Sequence, residues 1–261
     1  MSRHERWNAL LELLAGRGRL DVEDAAKELA VSAATIRRDF DELAQQQMLT
    51  RTRGGAVAHQ VSYDLPLRYK TARHAGEKNR IGAAAAALVE PGATVGLNGG
   101  TTTSEVARAL ATRADLRGDG TNPAVTVVTN ALNIAAELTV RRHVKIVVTG
   151  GVARPQSYEL IGPLATGVLD GLALDIAFLG VDGIDTERGA TAHHEGEAAI
   201  NHLMATRSRR IVVVADSSKL GRHAFARICP LGEVDTIVTD QRADPGTLAE
   251  FTAAGLRVIA V

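Results

Sequence analysis

The sequence has almost no cysteine and very few aromatic side chains. One thiol, Cys229, excludes an internal disulfide and points to a reducing compartment, so a cytoplasmic location is expected. Aromatic residues are 3% of the 261 residues, which leaves Ala, Val, Leu and Ile to build any core and suits close helix-on-sheet packing. No apolar run reaches the roughly 20 residues of a membrane span, and the alanine run at 83–87 is far too short. The N-terminal residues carry no apolar signal-peptide region. Net charge is missing as well, with 30 basic against 30 acidic residues. General stickiness to nucleic acid is therefore not expected; any such contact must come from local clusters. Internal repeats and low-complexity tracts are absent, and the length suits two domains.

What is present begins at Asp21. Val22, Ala25, Ala26 and Leu29 fall at i, i+3, i+4 and i+7, one face of a helix. Asp21 precedes them as a candidate N-cap, and Ser32 is the next one, after a turn at Val31. Ile36, Phe40 and Leu43 repeat on the buried side of a following helix, whose other side shows Ala34, Thr35, Arg37 and Arg38. Trp7, Leu10, Leu11 and Leu14 supply a third helix. Arg51 and Arg53 alternate with Thr50 and Thr52, so both arginines are expected on one face of a strand ended by Gly54-Gly55. This is the layout of a winged helix-turn-helix. The start of its second helix enters the major groove of double-stranded DNA, where an Arg can grip guanine with two parallel bonds. Ser32, Ala34, Thr35, Arg37, Arg38, Arg51 and Arg53 are the candidate DNA contacts. The plainer alternative is a three-helix bundle with solvated arginines.

Charge placement agrees with contact at one place. Asp21, Glu23, Asp24 and Glu28 lie in the scaffold, whereas the arginines lie where contact is expected. Arg68, Lys70, Arg73, Lys78 and Arg80 add a second basic stretch. Steep salt dependence follows from phosphate contacts. The first domain is expected to span residues 1–58. Residues 59–75, polar and holding Pro66, read as a linker or an ordered strap.

From residue 76 the pattern alternates. Helices are expected over 78–89, 103–114, 131–139, 164–169, 197–207 and 245–254. Strands are expected over 93–97, 125–129, 144–149, 174–181, 210–215, 236–239 and 256–260. Strands that are apolar throughout, separated by helices, imply an α/β domain with a mainly parallel sheet covered on both faces.

In such sheets ligands bind beyond the carboxyl ends of the strands. Five of those ends are polar. They carry Asn98-Gly99-Gly100-Thr101-Thr102-Thr103, then Thr129-Asn130, then Thr149-Gly150-Gly151 with Arg154, then Asp182-Gly183-Ile184-Asp185, and Asp216-Ser217-Ser218-Lys219. The strand bodies carry almost no such groups. The Gly-Gly-Thr-Thr-Thr loop opens a helix, and free N–H groups there favour an anion. It lacks the Gly-Lys-Ser/Thr ending of a nucleotide loop, and no G-x-G-x-x-G follows a strand, so a phosphorylated sugar fits better than ATP or NAD. The alternative is a Gly-rich turn capped by Thr. His193-His194-Glu195-Gly196-Glu197 invites a zinc reading, but no Cys lies near and three spaced ligands are not evident. Sugar recognition by His194 and Glu197, or helix capping, is the expectation, with no metal and no cofactor. Cys229 beside Pro230 reads as a small buried side chain.

Taken together, VSAATIRRDFDEL with RTRGGAV, and then GGTTTSEVARAL, VVTNALNIAAEL, VTGG, FLGVDGIDTERGAT and VADSSKLG, resemble the DeoR family of bacterial sugar-metabolism regulators over the whole chain. The resemblance implies a repressor whose C-terminal domain binds a phosphorylated sugar, and which acts as a homo-oligomer, a dimer or tetramer. It also implies a C-terminal fold similar to ribose-5-phosphate isomerase. On that likeness Asp182-Gly183-Ile184-Asp185 matches the enzyme's Asp-Gly-x-Asp, Glu197 its general base, and Lys219 its Ser-Lys pair. Gly189-Ala190-Thr191-Ala192-His193 stands where the enzyme has Lys-Gly-Gly-Gly, so the proton-transfer site looks incomplete. Asn98 stands where the regulators often have an acidic residue. The effector residues implied are Asn98 to Thr103, Asn130, Gly150, Gly151, Arg154, Asp182, His194, Glu197 and Lys219. Two rival readings are a sugar-phosphate isomerase with an appended DNA-binding domain and a ligand-free architectural protein.

Overall fold

A computed structural model describes residues 1–46, 48–58, 67, 74–116 and 123–261. The chain divides into two compact units, Met1–Arg73 and His74–Val261. Most of the expected linker, residues 59–75, and the basic residues Arg68, Lys70 and Arg73 lie outside the described residues.

The first unit holds α1 (Arg3–Arg17), β1 (Arg19–Asp21), α2 (Val22–Glu28), α3 (Ala33–Gln45), β2 (Leu49–Thr52) and β3 (Gly55–Ala58). Ser2 and Glu5 form a reciprocal capping box at the start of α1. Ala30, left-handed at φ 53°, makes the turn between α2 and α3. The apolar stripes close on one core: Trp7, Leu10, Leu14, Val22, Ala25, Ile36, Phe40 and Leu43 are all buried. The three strands pair antiparallel in the order β1-β3-β2. β1 is too short to show a period in the sequence. Asp21 precedes α2 in extended conformation but makes no side-chain cap; its carboxylate faces Arg19 instead.

The second unit is a seven-stranded sheet in the order β15-β14-β12-β9-β4-β5-β6. Its strands are β4 (Thr94–Leu97), β5 (Val125–Thr129), β6 (Val144–Val148), β9 (Ile176–Leu179), β12 (Ile211–Val214), β14 (Thr236–Thr239) and β15 (Arg257–Ala260). Every pairing within it is parallel. The helices are α4 (Ala75–Ala86), α5 (Thr101–Thr112), α6 (Leu132–Thr139), α7 (Thr166–Asp170), α8 (Glu195–Thr206) and α9 (Pro245–Ala253). Alternate strand residues enter two separate cores. Leu97, Val127, Phe178 and Val214 pack on one face with α4, α5 and α6. Val128, Leu179 and Val213 pack on the other with α8.

Three short strands escape the sequence pattern. They are β10 (Gly183–Asp185), β11 (Gly189–Ala192) and β13 (Ala226–Cys229), and they form a small antiparallel sheet. A two-strand hairpin, β7 (Val152–Ala153) with β8 (Leu160–Ile161), follows β6. α5 begins two residues before the expected 103 and α8 two before 197, so Thr101 and Thr102 are already helical and Glu197 lies in a first turn.

The strand order locates the ligand crevice. From β4 the chain steps outward to β5 and β6, then returns to place β9 on the other side of β4. β4 and β9 therefore flank the point where the winding reverses, the place at which open α/β sheets bind ligands.

Candidate functional site

The reading surface of the first unit is held from beneath by a buried ion pair. Asp39 on α3 is 3% exposed and accepts from Arg6 Nε at 2.5 Å, Arg6 Nη2 at 3.0 Å and Trp7 Nε1 at 2.8 Å. This bidentate pair with an indole donor fixes the rotation of α3 against α1. The hydrogen bond and charge of Asp39 raise the Arg6 guanidinium above its ordinary value despite burial. Trp7 belongs to the apolar stripe read from the sequence, but Arg6 and Asp39 are polar and carry no such signal, so the pair is not foreseen there.

On the outer side Ser32 caps α3, accepting from the Thr35 amide at 3.1 Å, and its hydroxyl lies 2.8 Å from that of Thr35. Ala34, Arg37 and Arg38 are exposed. Arg37 is held 3.1 Å from Glu23 of α2, an exposed pair that a stronger anion can displace. The two ribbon arginines do not share a strand face. β2 ends at Thr52, so Arg53 stands exposed in the turn. Arg51 is partly buried, donates to Asp41 at 2.7 Å and to the Gly55 carbonyl at 2.7 Å, and lies over the Phe40 ring. Arg51 thus braces the ribbon against α3.

In the second unit the groups converge at the reversal point. Asn98, at the end of β4, is 1% exposed. Its amide donates to the Gly180 carbonyl at 2.9 Å and accepts from the Gly180 amide at 2.8 Å. It ties β4 to β9 with both ends of its side chain, so it acts as a brace where a sugar contact was expected. Gly100 has φ 140°, a backbone that side chains rarely adopt. Its carbonyl takes the hydroxyls of Thr103 at 3.1 Å and Ser104 at 2.7 Å. No side chain caps α5. Its first N–H groups, with Thr101 half-buried and Thr102 buried, are those the anion reading needs.

Gly99 was expected to let a ligand approach, but its near neighbour is Glu159. A Cβ at position 99 would stand 2.3 Å from Glu159 Cγ. Glu159 ends the β7–β8 turn, delivered by Tyr158 at φ 61°, a conformation costing on the order of 1–3 kcal/mol. The turn lies across the β5–α6 junction: Leu160 N–H donates to the Asn130 carbonyl at 2.6 Å and Leu132 N–H to the Tyr158 carbonyl at 2.9 Å. Asn130 Nδ2 donates to Glu159 at 2.8 Å, and the Asn201 side chain of α8 also bonds it. Burial first, then the charges of Glu197 and Asp182, push this carboxyl up to about 8 against those two amides.

Around Glu159 the described side chains pair by sign. Arg154 meets Glu197 at 3.0 Å, with 12% and 11% of the two side chains exposed. Lys219 lies 3.8 Å from Asp182, whose other oxygen accepts from the His193 amide at 3.0 Å. Burial pushes Asp216 up, but the Ser218 hydrogen bond and the charges of Lys78, Lys219 and His74 outweigh it and hold the carboxylate below its ordinary value. His194 caps α8 through Nδ1, accepting from Gly196 at 3.1 Å. Gly150 lies near the Leu164 carbonyl and Gly151 is pressed on Ala165 and Ile161. The structure thus brings Arg154, Asp182, Glu197 and Lys219 together and sets Glu159 and Asn201 among them, two residues the sequence did not single out; Asp216 stood out only as part of a polar strand end and Lys78 only as part of a basic stretch. Among the described residues no group of three His, Cys, Asp or Glu is placed to hold a metal. Cys229 is buried, and burial pushes its thiol up to about 12, which disfavours the reactive thiolate.

Comparison with known proteins matches both units. Residues 6–61 match the DeoR-like helix-turn-helix domain, and residues 73–241 match the DeoR C terminal sensor domain. The HTH-type transcriptional regulator GlpR of Haloferax volcanii is 34% identical over 98% of this chain and 96% of its own length. The glycerol-3-phosphate regulon repressor of Escherichia coli K12 is 32% identical over 92% of each chain. The HTH-type transcriptional repressor GlcR of Bacillus subtilis is 33% identical over 92% of this chain and 90% of its own. Among solved structures, ribose 5-phosphate isomerase A of Methanocaldococcus jannaschii aligns with TM-score 0.41 at 20% identity over 56% of this chain and 54% of its own. The full-length sorbitol operon regulator SorC of Klebsiella pneumoniae aligns with TM-score 0.37 at 14% identity over 84% and 90%.

Proposed function

This chain belongs to the DeoR family of transcriptional regulators, and on that premise we propose that it represses a carbohydrate catabolic operon in the cytoplasm and is controlled by a phosphorylated sugar. The observation that carries the effector half is the uncapped α5 N-terminus, joined through Gly99 and Glu159 to the Arg154–Glu197 and Lys219–Asp182 pairs where the sheet winding reverses. In this reading Thr101, Thr102 and the α5 amides take the phosphate, and Asp182, Glu197 and Lys219 take sugar hydroxyls. Arg37 and Arg38 read the major groove beside Ser32, Ala34 and Thr35, and Arg53 reaches the DNA backbone. Residues 59–75 join the two units. Operators with repeated half-sites are read by a dimer or tetramer. The effector acts only through a difference in its affinity for the DNA-bound and DNA-free arrangements.

The isomerase alternative is disfavoured because Glu197, the carboxylate that would abstract the proton, is held by Arg154 at 3.0 Å. Gel shifts on the chain's own upstream region, with and without a panel of sugar phosphates, test the proposal beside an aldose–ketose assay. Effector-dependent release without turnover is the expected result. Turnover abolished by Glu197→Gln, or operator binding indifferent to every sugar phosphate, would overturn it.

A further inference from the structure

Glu159 is a buried acid that the effector reading does not use. Its side chain touches three separate pieces of the site and lies within electrostatic reach of a fourth. It packs on Gly99 so closely that a Cβ at position 99 would force its side chain to move. It accepts from Asn130 at the end of β5, bonds Asn201 on α8, and faces Glu197 of α8 and Asp182 after β9. Arg154 and Lys219 stand behind those two carboxylates, as their partners. The amide oxygens of Asn130 and Asn201 are both buried and lack a hydrogen-bond partner. An ionised carboxylate between two such amides has no proton to give. A neutral carboxyl has an O–H, and a half-turn of the Asn201 amide presents its oxygen to receive it.

We propose that Glu159 is the positioning residue of the effector site, a proton-bearing clasp that holds the Gly99–Gly100 turn, Asn130 and α8 in the shape that accepts an anion. The inference rests on the effector-site reading above. Its chemical consequence is a linkage between anion and proton. An anion at the start of α5 adds negative charge beside Gly99, and so disfavours ionisation of Glu159 further. Anion binding then takes up protons wherever free Glu159 is partly ionised. Affinity is full below the free site's value, which burial and the two carboxylates set at about 8. Above it, affinity falls toward a limiting slope of about tenfold per pH unit.

Sulfate is the probe, because its charge is fixed across the range. Titration calorimetry on the full chain from pH 7 to pH 9.5 is expected to show binding that weakens above pH 8. At pH 8, two buffers of different ionisation enthalpy should reveal proton uptake by the parent chain, a measurement that needs no variant. Glu159→Gln keeps shape and neutrality, so it should bind sulfate within about threefold of the parent at pH 7 with a flat pH profile. Glu159→Ala should bind weakly at every pH. An identical pH profile in parent and Glu159→Gln, or no proton uptake by the parent, overturns the clasp while leaving the effector site standing. A parent chain that binds neither sulfate nor any sugar phosphate removes both.

Discussion

In the N-terminal unit the arginines proposed to meet DNA stand in water: Arg37, Arg38 and Arg53 are exposed, and the ion pair that sets the helix carrying the first two, Arg6 with Asp39, lies beneath. In the C-terminal unit the order is reversed. Glu159, Glu197, Asn130 and Asn201 are buried, and two groups proposed to meet a ligand, Glu197 and Asp182, also hold neighbouring parts of the fold through Arg154 and the His193 amide. The difference is one of separability. Exposed arginines tune affinity with little effect on folding, whereas a buried polar cluster cannot be altered without disturbing both shape and charge. A long polyanion can be met by a protruding surface. A small metabolite has to be enclosed.

Five substitutions, in four tests, sharpen or break that contrast. The largest effect is expected for Asp39→Ala, which strands a guanidinium that is 13% exposed. Loss of one partner of such a pair costs about 3–5 kcal/mol, and thermal unfolding should show the first unit melting early while the second is unmoved. Unchanged melting would mean the pair is not what sets α3. Next comes Gly99→Ala. Its methyl would stand 2.3 Å from Glu159 Cγ, an overpacking worth about 1–3 kcal/mol. It should blunt the response to sugar phosphates and leave effector-free operator affinity intact; equal induction curves would sink it. Third, Arg37→Ala should weaken the specific operator by about 1–3 kcal/mol relative to random DNA, read by competition gel shift, with no change in sulfate binding. A uniform loss on both DNAs would assign Arg37 to the backbone instead. The smallest effect separates the ribbon arginines. Arg53→Ala should lower the slope of log affinity against log salt by about one. Arg51→Ala should leave the slope alone and lower stability by up to about 1 kcal/mol, because Asp41 is 58% exposed and solvent screens the pair. The reverse assignment would return Arg51 to the DNA face.

The same contrast explains what could be read from the chain. Ile36, Phe40 and Leu43 declare their helix face because burial there is periodic. Ile211–Val214 declares a central strand because both its faces are covered. The sequence β10, β11 and β13 runs GID, GATA and ARIC, too short and mixed to carry a period. Arg154, Asp182, Glu197 and Lys219 were legible through the polar strand ends and the family's motifs. Glu159 was not, since its character comes from Gly99, Asn130, Glu197 and Asn201, distant in the chain and brought close only by the sheet. Arg51 misled for the opposite reason. A strand arginine looks available until the fold gives it Asp41 and the Gly55 carbonyl.

The tight fit of Glu159 over Gly99 also constrains how this lineage can drift. A methyl at 99 forces Glu159 to shift unless residue 159 has first shrunk, so the order of acquisition matters. Combining Gly99→Ala with Glu159→Ser should therefore recover packing that Gly99→Ala alone loses, a coupling that a double-mutant cycle can measure. Homologous regulators with a bulkier 99 are expected to carry a shorter 159, and the two sites should vary as one hereditary unit.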